Sequence, residues 1–373
     1  MDIALATWKR LLSDDHAALR DRAAMAEPTD VAAVAALRKL ASPELVRAAL
    51  ALSEARRKAA TKFPDRAATL LADPEGVEVA SSLATARHKA ARWAQLGQAN
   101  RVVDLCCGIG GDAIALTEAG LDVLGIDRDP VRAWMASRNA DCETAVADAA
   151  DVDVSGGLVH LDPARRSSAG RAWRLADYQP GPTVIGRCVT AARAAAVKLG
   201  PGVDVDALPF AGEIEMISES GRLVQAVLWT GDLRRGERSA TVLPHGATLT
   251  GAPSDAPAGD WANYIHAVDP AVERARLIGA LAASFDLVMP HPQLGLLSGD
   301  ARIDTPFATG FELIERMAWR PKRVEAALRA MDAGAVEIKT RGGAVDPDAW
   351  QKRLSGEGDQ RLTVFVQIGR AHV

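Results

Sequence analysis

No stretch of the chain approaches the roughly 18 uninterrupted apolar residues of a membrane span, and its start, Met1-Asp2, has no basic segment leading into an apolar run. A cytoplasmic setting is the expectation. Cysteine is sparse as well. Of the four, Cys106 and Cys107 are adjacent while Cys142 and Cys188 stand alone, a spacing that offers neither a disulfide framework nor a set of metal ligands. No metal is expected. A formal net charge of -4 argues against indiscriminate polyanion binding, and the lack of an internal repeat removes solenoids and propellers. What remains is ordinary globular material: 373 residues, 48% hydrophobic and 25% charged, more than one typical core requires. Two or three domains are expected.

The stretch Arg101-Val-Val-Asp-Leu-Cys-Cys-Gly-Ile-Gly-Gly-Asp112 organises the rest. Val102, Val103 and Leu105 suit a parallel strand covered on both faces. Gly108 and Gly110 carry no Cβ to hold a ligand off the backbone, and a helix over 112–119 begins just beyond them. A nucleotide-like cofactor is the natural occupant, and two classes compete for the place. Gly108-x-Gly110-x-x-Ala113 satisfies the dinucleotide fingerprint. Asp104 discriminates between them, because its carboxylate would sit near the anionic bridge of a dinucleotide but can accept a hydrogen bond from an ammonium group. S-adenosylmethionine carries an ammonium and no phosphate.

The order downstream strengthens that choice. Residues 122–126 read as a second strand ending at Asp127, placed to accept from both ribose hydroxyls. A helix over 130–138 precedes a third strand over 143–147, with Asp148 at its end. A fourth strand, 157–161, delivers Asp162-Pro163-Ala164-Arg165 to the carboxyl edge of the sheet, where open α/β sheets bind ligands. Four acids at four successive strand ends suit one bound cofactor better than four unrelated caps and turns. A helix over 183–195, a strand over 197–199 and a hairpin over 213–229 follow. Residues 163–203 hold seven Lys or Arg against Asp177 alone, and placed directly after Asp162 they can hold a phosphate backbone. Residues 37–62 hold seven against two.

Before the sheet, residues 1–92 read as an N-terminal helical domain with apolar faces such as Leu83, Ala86, Ala90 and Ala94. Its Arg56-Arg57-Lys58 and Lys62-Phe63 are candidate substrate contacts. The sheet domain runs over 93–245, and residues 246–260 have the composition of a linker. A third, α+β unit covers 261–367, with helices over 270–284, 321–331 and 347–354 and strands over 336–341 and 362–367. The last six residues, Ile368-Gly-Arg-Ala-His-Val373, resemble the translation of a sequencing adapter and are set aside as a non-native tail.

In combination, Asp104-Leu-Cys-Cys-Gly-Ile-Gly-Gly-Asp112, Leu-Asp162-Pro-Ala-Arg-Arg166, Lys198-Leu-Gly-Pro-Gly202, Ala226-Val-Leu-Trp229 and Ala240-Thr-Val-Leu-Pro244 resemble bacterial class I S-adenosylmethionine-dependent methyltransferases with a C-terminal THUMP-like domain. Asp269-Pro-Ala271, Leu297-Ser-Gly-Asp300, Pro306-Phe-Ala308 and Val336-Glu-Ile-Lys-Thr-Arg-Gly342 carry the marks of that domain. The resemblance implies a Rossmann-like seven-stranded sheet, with Asp148 contacting the adenine amine. It implies S-adenosylmethionine as cofactor, held by Asp104, Cys107, Gly108, Gly110, Asp127, Arg128 and Asp148.

Asp162-Pro163 resembles the motif with which methyltransferases of exocyclic base amines align the acceptor, which makes this pair the expected catalytic residues. Ala164 and Arg165 depart from the Pro-aromatic ending of that motif. An Arg plane can stack on a base, and Trp173 or Tyr178 are further candidates for the ring. Arg165 and Arg166 are the expected substrate contacts. THUMP domains proper bind RNA, so the expected acceptor is a base nitrogen of RNA, with tRNA among the candidates. The tail itself is charge-balanced, with 14 basic and 14 acidic residues over 261–373. DNA, protein or small-molecule acceptors, and a catalytically silent binding module, stay open as alternatives; a dehydrogenase is the remote one.

Overall fold

A computed structural model describes residues 3–27, 29–97, 101–165, 175–292, 294–340 and 344–366. It divides into two units, Met1–Thr248 and Leu249–Val373. In the first, six helices precede the sheet: α1 (Leu5–Leu11), α2 (Ala17–Met25), α3 (Val31–Leu37), α4 (Pro43–Lys62), α5 (Pro74–Val79) and α6 (Leu83–Ala94). Their starts follow local chemistry. Asp30, Ser42, Asp73 and Ser82 each cap a helix by accepting from backbone N–H groups of its first turn. These helices share one hydrophobic core with the sheet, in which Trp8, Leu52, Phe63 and Trp93 pack in the same cluster as Val102, Ile114 and Trp229.

The alternating part runs β1 (Arg101–Leu105), α7 (Gly111–Glu118), β2 (Asp122–Asp127), α8 (Pro130–Ala140), β3 (Glu143–Val146), β4 (Leu158–Leu161), β5 (Ala164–Arg165), β6 (Tyr178–Gln179), α9 (Pro182–Ala191) and β7 (Ala194–Leu199). It is followed by β8 (Glu213–Glu219), β9 (Arg222–Gly231), β10 (Arg238–Leu243) and β11 (Ala247–Gly251). The expected parallel strands form, and β1 lies between β2 and β4 with Asp104 opposite Gly125 and His160. The hairpin turn between β8 and β9 places Ser220 and Gly221 at φ of 51° and 74°, the twist that tight hairpins favour.

Three expectations change. The sheet has nine strands, in the order β11-β10-β8-β9-β7-β4-β1-β2-β3, and not seven. Seven form the expected core; β10 adds parallel to β8, and β11 occupies the first part of the expected linker. Second, the helix over 183–195 stops at Ala191, because Ala194–Leu199 is a central strand paired to both β4 and β9. Alanine favours helix locally, but pairing on both edges outweighs a preference of under about 1 kcal/mol per residue.

The second unit contains β12 (Tyr264–Val268), α10 (Pro270–Arg274), α11 (Ile278–Phe285), β13 (Leu296–Gly299), β14 (Ala308–Glu312), α12 (Pro321–Ala330), β15 (Ala333–Thr340), α13 (Pro347–Leu354) and β16 (Gln360–Val366). The third change lies here: the helix over 270–284 is two helices, separated where Arg276 adopts a φ of 61°. Ser254 enters that break, its N–H donating to the Arg276 carbonyl and its own carbonyl accepting from Gly279. The strands expected over 336–341 and 362–367 form the parallel pair β15–β16, whereas the antiparallel sheet β13-β12-β14 was not foreseen. Val324, Leu328, Val336 and Val364 make the core between helix α12 and that pair.

Candidate active site

A cleft of about 830 Å³ opens at the carboxyl ends of β1, β2, β4 and β7. The sequence dictates its floor. At the end of β1 the chain reverses through Cys106 (φ 60°), Gly108 (φ 56°) and Gly110 (φ 84°) before α7 begins. A Cβ at Gly110 would lie 2.9 Å from the Ala136 Cα in α8, so glycine there serves both the backbone angle and the packing. Asn139 of α8 fixes the turn from beneath by donating to the Ile109 carbonyl at 2.8 Å.

The strand-end acids converge on this cleft. Asp104, Asp127, Asp148 and Asp162 all line it, as do Cys107, Gly108, Arg128 and Pro163. Asp104 is fully buried. Its Oδ1 lies 2.7 Å from His160 Nδ1, and its Oδ2 is buried with no hydrogen-bond partner. Burial pushes the Asp104 carboxyl up from its ordinary value, and His160 partly offsets that. Asp127 accepts from the Gly108 N–H at 2.9 Å through Oδ2 and from the Asp129 N–H at 2.9 Å through Oδ1. Burial raises its pKa too, against those two hydrogen bonds. Asp148 is exposed and accepts from the Ala150 N–H. Burial raises the thiol of Cys106 and holds that of Cys107 well above the usual range, so neither is an activated nucleophile.

The geometry decides between the two cofactor classes. A dinucleotide would direct its pyrophosphate at the glycine turn, yet the Gly108 amide is already taken by a carboxylate. Among the described residues seven carboxylates line the cleft against three cations, Arg128, Arg132 and Lys198. A cationic ligand fits this lining, and the vacant acceptor on Asp104 suits an ammonium. Gly110 shapes the turn but does not itself line the cleft.

Asp162 stands at the end of β4, its N–H donating to the Leu105 carbonyl and its Oδ2 paired at 2.7 Å with Lys198 of β7. Lys198 also donates to the Val79 carbonyl. In sequence Lys198 stands thirty-six residues after Asp162; its place in β7, the strand next to β4, is what brings it to Asp162. Tyr178 lines the cleft but is buried, and its hydroxyl accepts from the Gly200 N–H at 2.7 Å, which makes it a wall. Arg166 and Trp173 lie outside the described residues, and for Arg165 only the backbone, in β5, is described.

Arg56, Arg57, Lys58 and Lys62 have partners within the N-terminal segment itself. Arg56 donates to the Leu70 carbonyl, Arg57 to Ser53 Oγ, and Lys58 pairs with Glu54. Lys62 donates to the carbonyls of Val77, Glu78 and Ala80, closing the end of α5, while Phe63 is core. The contribution of this segment is different: Glu75, Gly76, Val79, Ala80 and Ser81 line the cleft. Next to them, α6 sends three cationic or titratable side chains toward the sheet and α7. His88 meets Glu215 at 2.7 Å, Lys89 meets Asp112 at 2.6 Å, and Arg92 makes a two-pronged pair with Glu213 while stacking 4.4 Å from the centroid of Trp229. Asp112 would be disfavoured as an anion by its burial, but the Lys89 ammonium, with Lys198 beyond it, overcomes this and holds its carboxyl below the ordinary range.

Comparisons with known proteins agree with this chemistry. The profile of the THUMP domain-like family matches residues 308–372, a span that includes all but the last of the six residues set aside as a tail. An uncharacterized S-adenosylmethionine-dependent methyltransferase of Mycobacterium tuberculosis, in strains CDC 1551 and H37Rv, is 39% identical over 287 residues, covering 72% of this chain and 77% of the relative. A solved structure from Porphyromonas gingivalis W83, assigned to the methyltransferases, shares the fold with a TM-score of 0.69 at 18% identity, covering 99% of this chain and 96% of the other. The acid-lined cleft, the glycine turn and the sequence match converge: this chain belongs to the class I S-adenosylmethionine-dependent methyltransferases that carry a C-terminal THUMP-like domain.

Proposed function

We propose that this methyltransferase acts on a base nitrogen of RNA, with tRNA the first acceptor to test. The observation that carries the reading is the position of Asp162-Pro163 in the same cleft as the strand-end acids Asp104, Asp127 and Asp148. In this reading Asp104 accepts from the cofactor ammonium through its vacant Oδ2, Asp127 and Asp148 hold the nucleoside end, and Cys107, Gly108 and Arg128 complete the wall around it. Gly110 acts one step back, by setting the turn. Bound S-adenosylmethionine supplies an electrophilic methyl on a sulfonium, open to in-line displacement.

The chain's own part is mainly positioning. Lys198 fixes Oδ2 of Asp162 and so orients the carboxylate, which then accepts an N–H of the acceptor amine and aims the nitrogen lone pair. The proton released on methylation leaves through that same hydrogen bond. Arg165 and Arg166, following Asp162 in sequence, are proposed to hold the acceptor's phosphates or stack on its base. The THUMP-like match supports RNA as the acceptor class.

Transfer of tritium from labelled S-adenosylmethionine to total RNA, run with wild type and Asp162→Ala, tests the reading. Label in an RNA fraction that vanishes in the variant is expected. Label in DNA or protein and none in RNA would overturn the acceptor class, and unchanged turnover by Asp162→Ala would remove Asp162 from the mechanism.

A further inference from the structure

Beneath the cleft lies a buried polar chain that the proposed function leaves unused. Lys89, on α6, has a side chain only 2% exposed. Its Nζ sits 2.6 Å from Asp112 Oδ1, 3.3 Å from Ser81 Oγ and 3.5 Å from His160 Nε2. Ser81 in turn donates to Asp112 Oδ2 at 3.0 Å. His160 bridges onward, its Nδ1 lying 2.7 Å from Asp104 Oδ1. These contacts link an N-terminal helix to Asp104, whose Oδ2 is buried without a hydrogen-bond partner.

The chain of contacts assigns the hydrogens. An ammonium only donates, so Nε2 of His160 accepts from Lys89, and the ring hydrogen resides on Nδ1 and is donated to Asp104 Oδ1. That leaves Oδ2 as the acceptor without a partner. Charge points the same way. Asp104 and Asp112 are two buried carboxylates whose negative charges disfavour each other, and Lys89 neutralises one of them.

We infer that Lys89 is a positioning residue for the cofactor: by neutralising Asp112 it relieves the Asp104 carboxylate of a second buried negative charge and leaves it to accept from the ammonium of the bound ligand. The inference rests on the reading above in which Asp104 holds that ammonium. Lys89 touches no ligand itself. Its effect is confined to the amino-acid end of the cofactor, a selectivity that general support of the fold would not have.

Two ligands separate the cases: S-adenosylhomocysteine, which carries the ammonium, and 5′-methylthioadenosine, which has the same nucleoside and no amino-acid end. Calorimetric Kd values for both are measured on the full chain. Lys89→Met should weaken S-adenosylhomocysteine by about tenfold or more, the loss of one charge-assisted hydrogen bond, and leave 5′-methylthioadenosine within about twofold. Because Lys89→Met strands a buried carboxylate and can fail to fold, the double variant Lys89→Met/Asp112→Asn is made in parallel. It removes both charges, and it should keep the wild-type preference for S-adenosylhomocysteine. Equal weakening of both ligands by Lys89→Met, no weakening of either, or a double variant that has lost the preference would each overturn the role of Lys89. Asp104→Asn isolates the underlying reading: if it binds S-adenosylhomocysteine as tightly as wild type, Asp104 is not the ammonium partner and the site assignment itself fails.

Discussion

Glu215 offers the sharpest test of how the N-terminal helices are fastened to the sheet. Its side chain is 1% exposed in β8, and every partner of its carboxylate comes from elsewhere. His88 Nε2 and the Thr241 hydroxyl lie 2.7 Å and 2.6 Å from Oε1, and the Trp229 indole donates to Oε2 at 2.7 Å. Burial alone would push the carboxyl up; the His88 contact, with the Thr241 hydrogen bond and the Arg92 charge, reverses this and takes it down from 4.5 to about 2. A group whose folded pKa lies below its unfolded one stabilises the fold above the unfolded value, and that stabilisation fades as pH falls through the folded value. At about 1.36 kcal/mol per pH unit, the gap between 4.5 and about 2 corresponds to about 3 kcal/mol. Glu215→Gln keeps the shape and removes the charge, so at pH 7 it should lower the unfolding free energy by about 3 kcal/mol. Between about pH 5 and pH 2 that difference should shrink toward the residual cost of the amide. Urea unfolding followed by tryptophan fluorescence, at a series of pH values for both proteins, measures it. A difference that stays constant over this window, or a variant as stable as wild type at pH 7, would refute the account of α6 docking through ionised carboxylates.

Gly110→Ala should lower the melting temperature and weaken S-adenosylhomocysteine, because a Cβ there meets the α8 backbone at 2.9 Å and φ is 84°. Gly108→Ala, where a Cβ meets nothing within 4 Å, should cost only the backbone strain of about 1 kcal/mol; paired thermal melts compare the two. Lys198→Met releases the Asp162 carboxylate from its 2.7 Å partner. Turnover should fall by about ten- to a hundredfold while S-adenosylhomocysteine affinity, read by calorimetry, changes little.

Much of the sheet was legible because its signals are local. Val102, Val103 and Leu105 announce a covered strand, Gly108 and Gly110 a turn that other residues resist, and Asp104, Asp127, Asp148 and Asp162 each lie within two residues of a strand's end. The ends of elements were less legible where neighbours decided them. Ala194 and Ala195 look helical until β4 and β9 pair with them, and β11 looks like a linker until it joins the sheet.

The sequence alone therefore determined the alternating order, the acid at each strand end and the kind of ligand those acids suit, since each rests on residues a few positions apart. Only the tertiary structure decided what becomes of the charges. Nothing along α6 marks His88, Lys89 and Arg92 for burial; folded, they are partners of Glu215, Asp112 and Glu213. A charge can leave water only where an opposite one arrives to meet it. For His88 and Arg92 that partner lies more than a hundred residues away along the chain, so no local pattern records it.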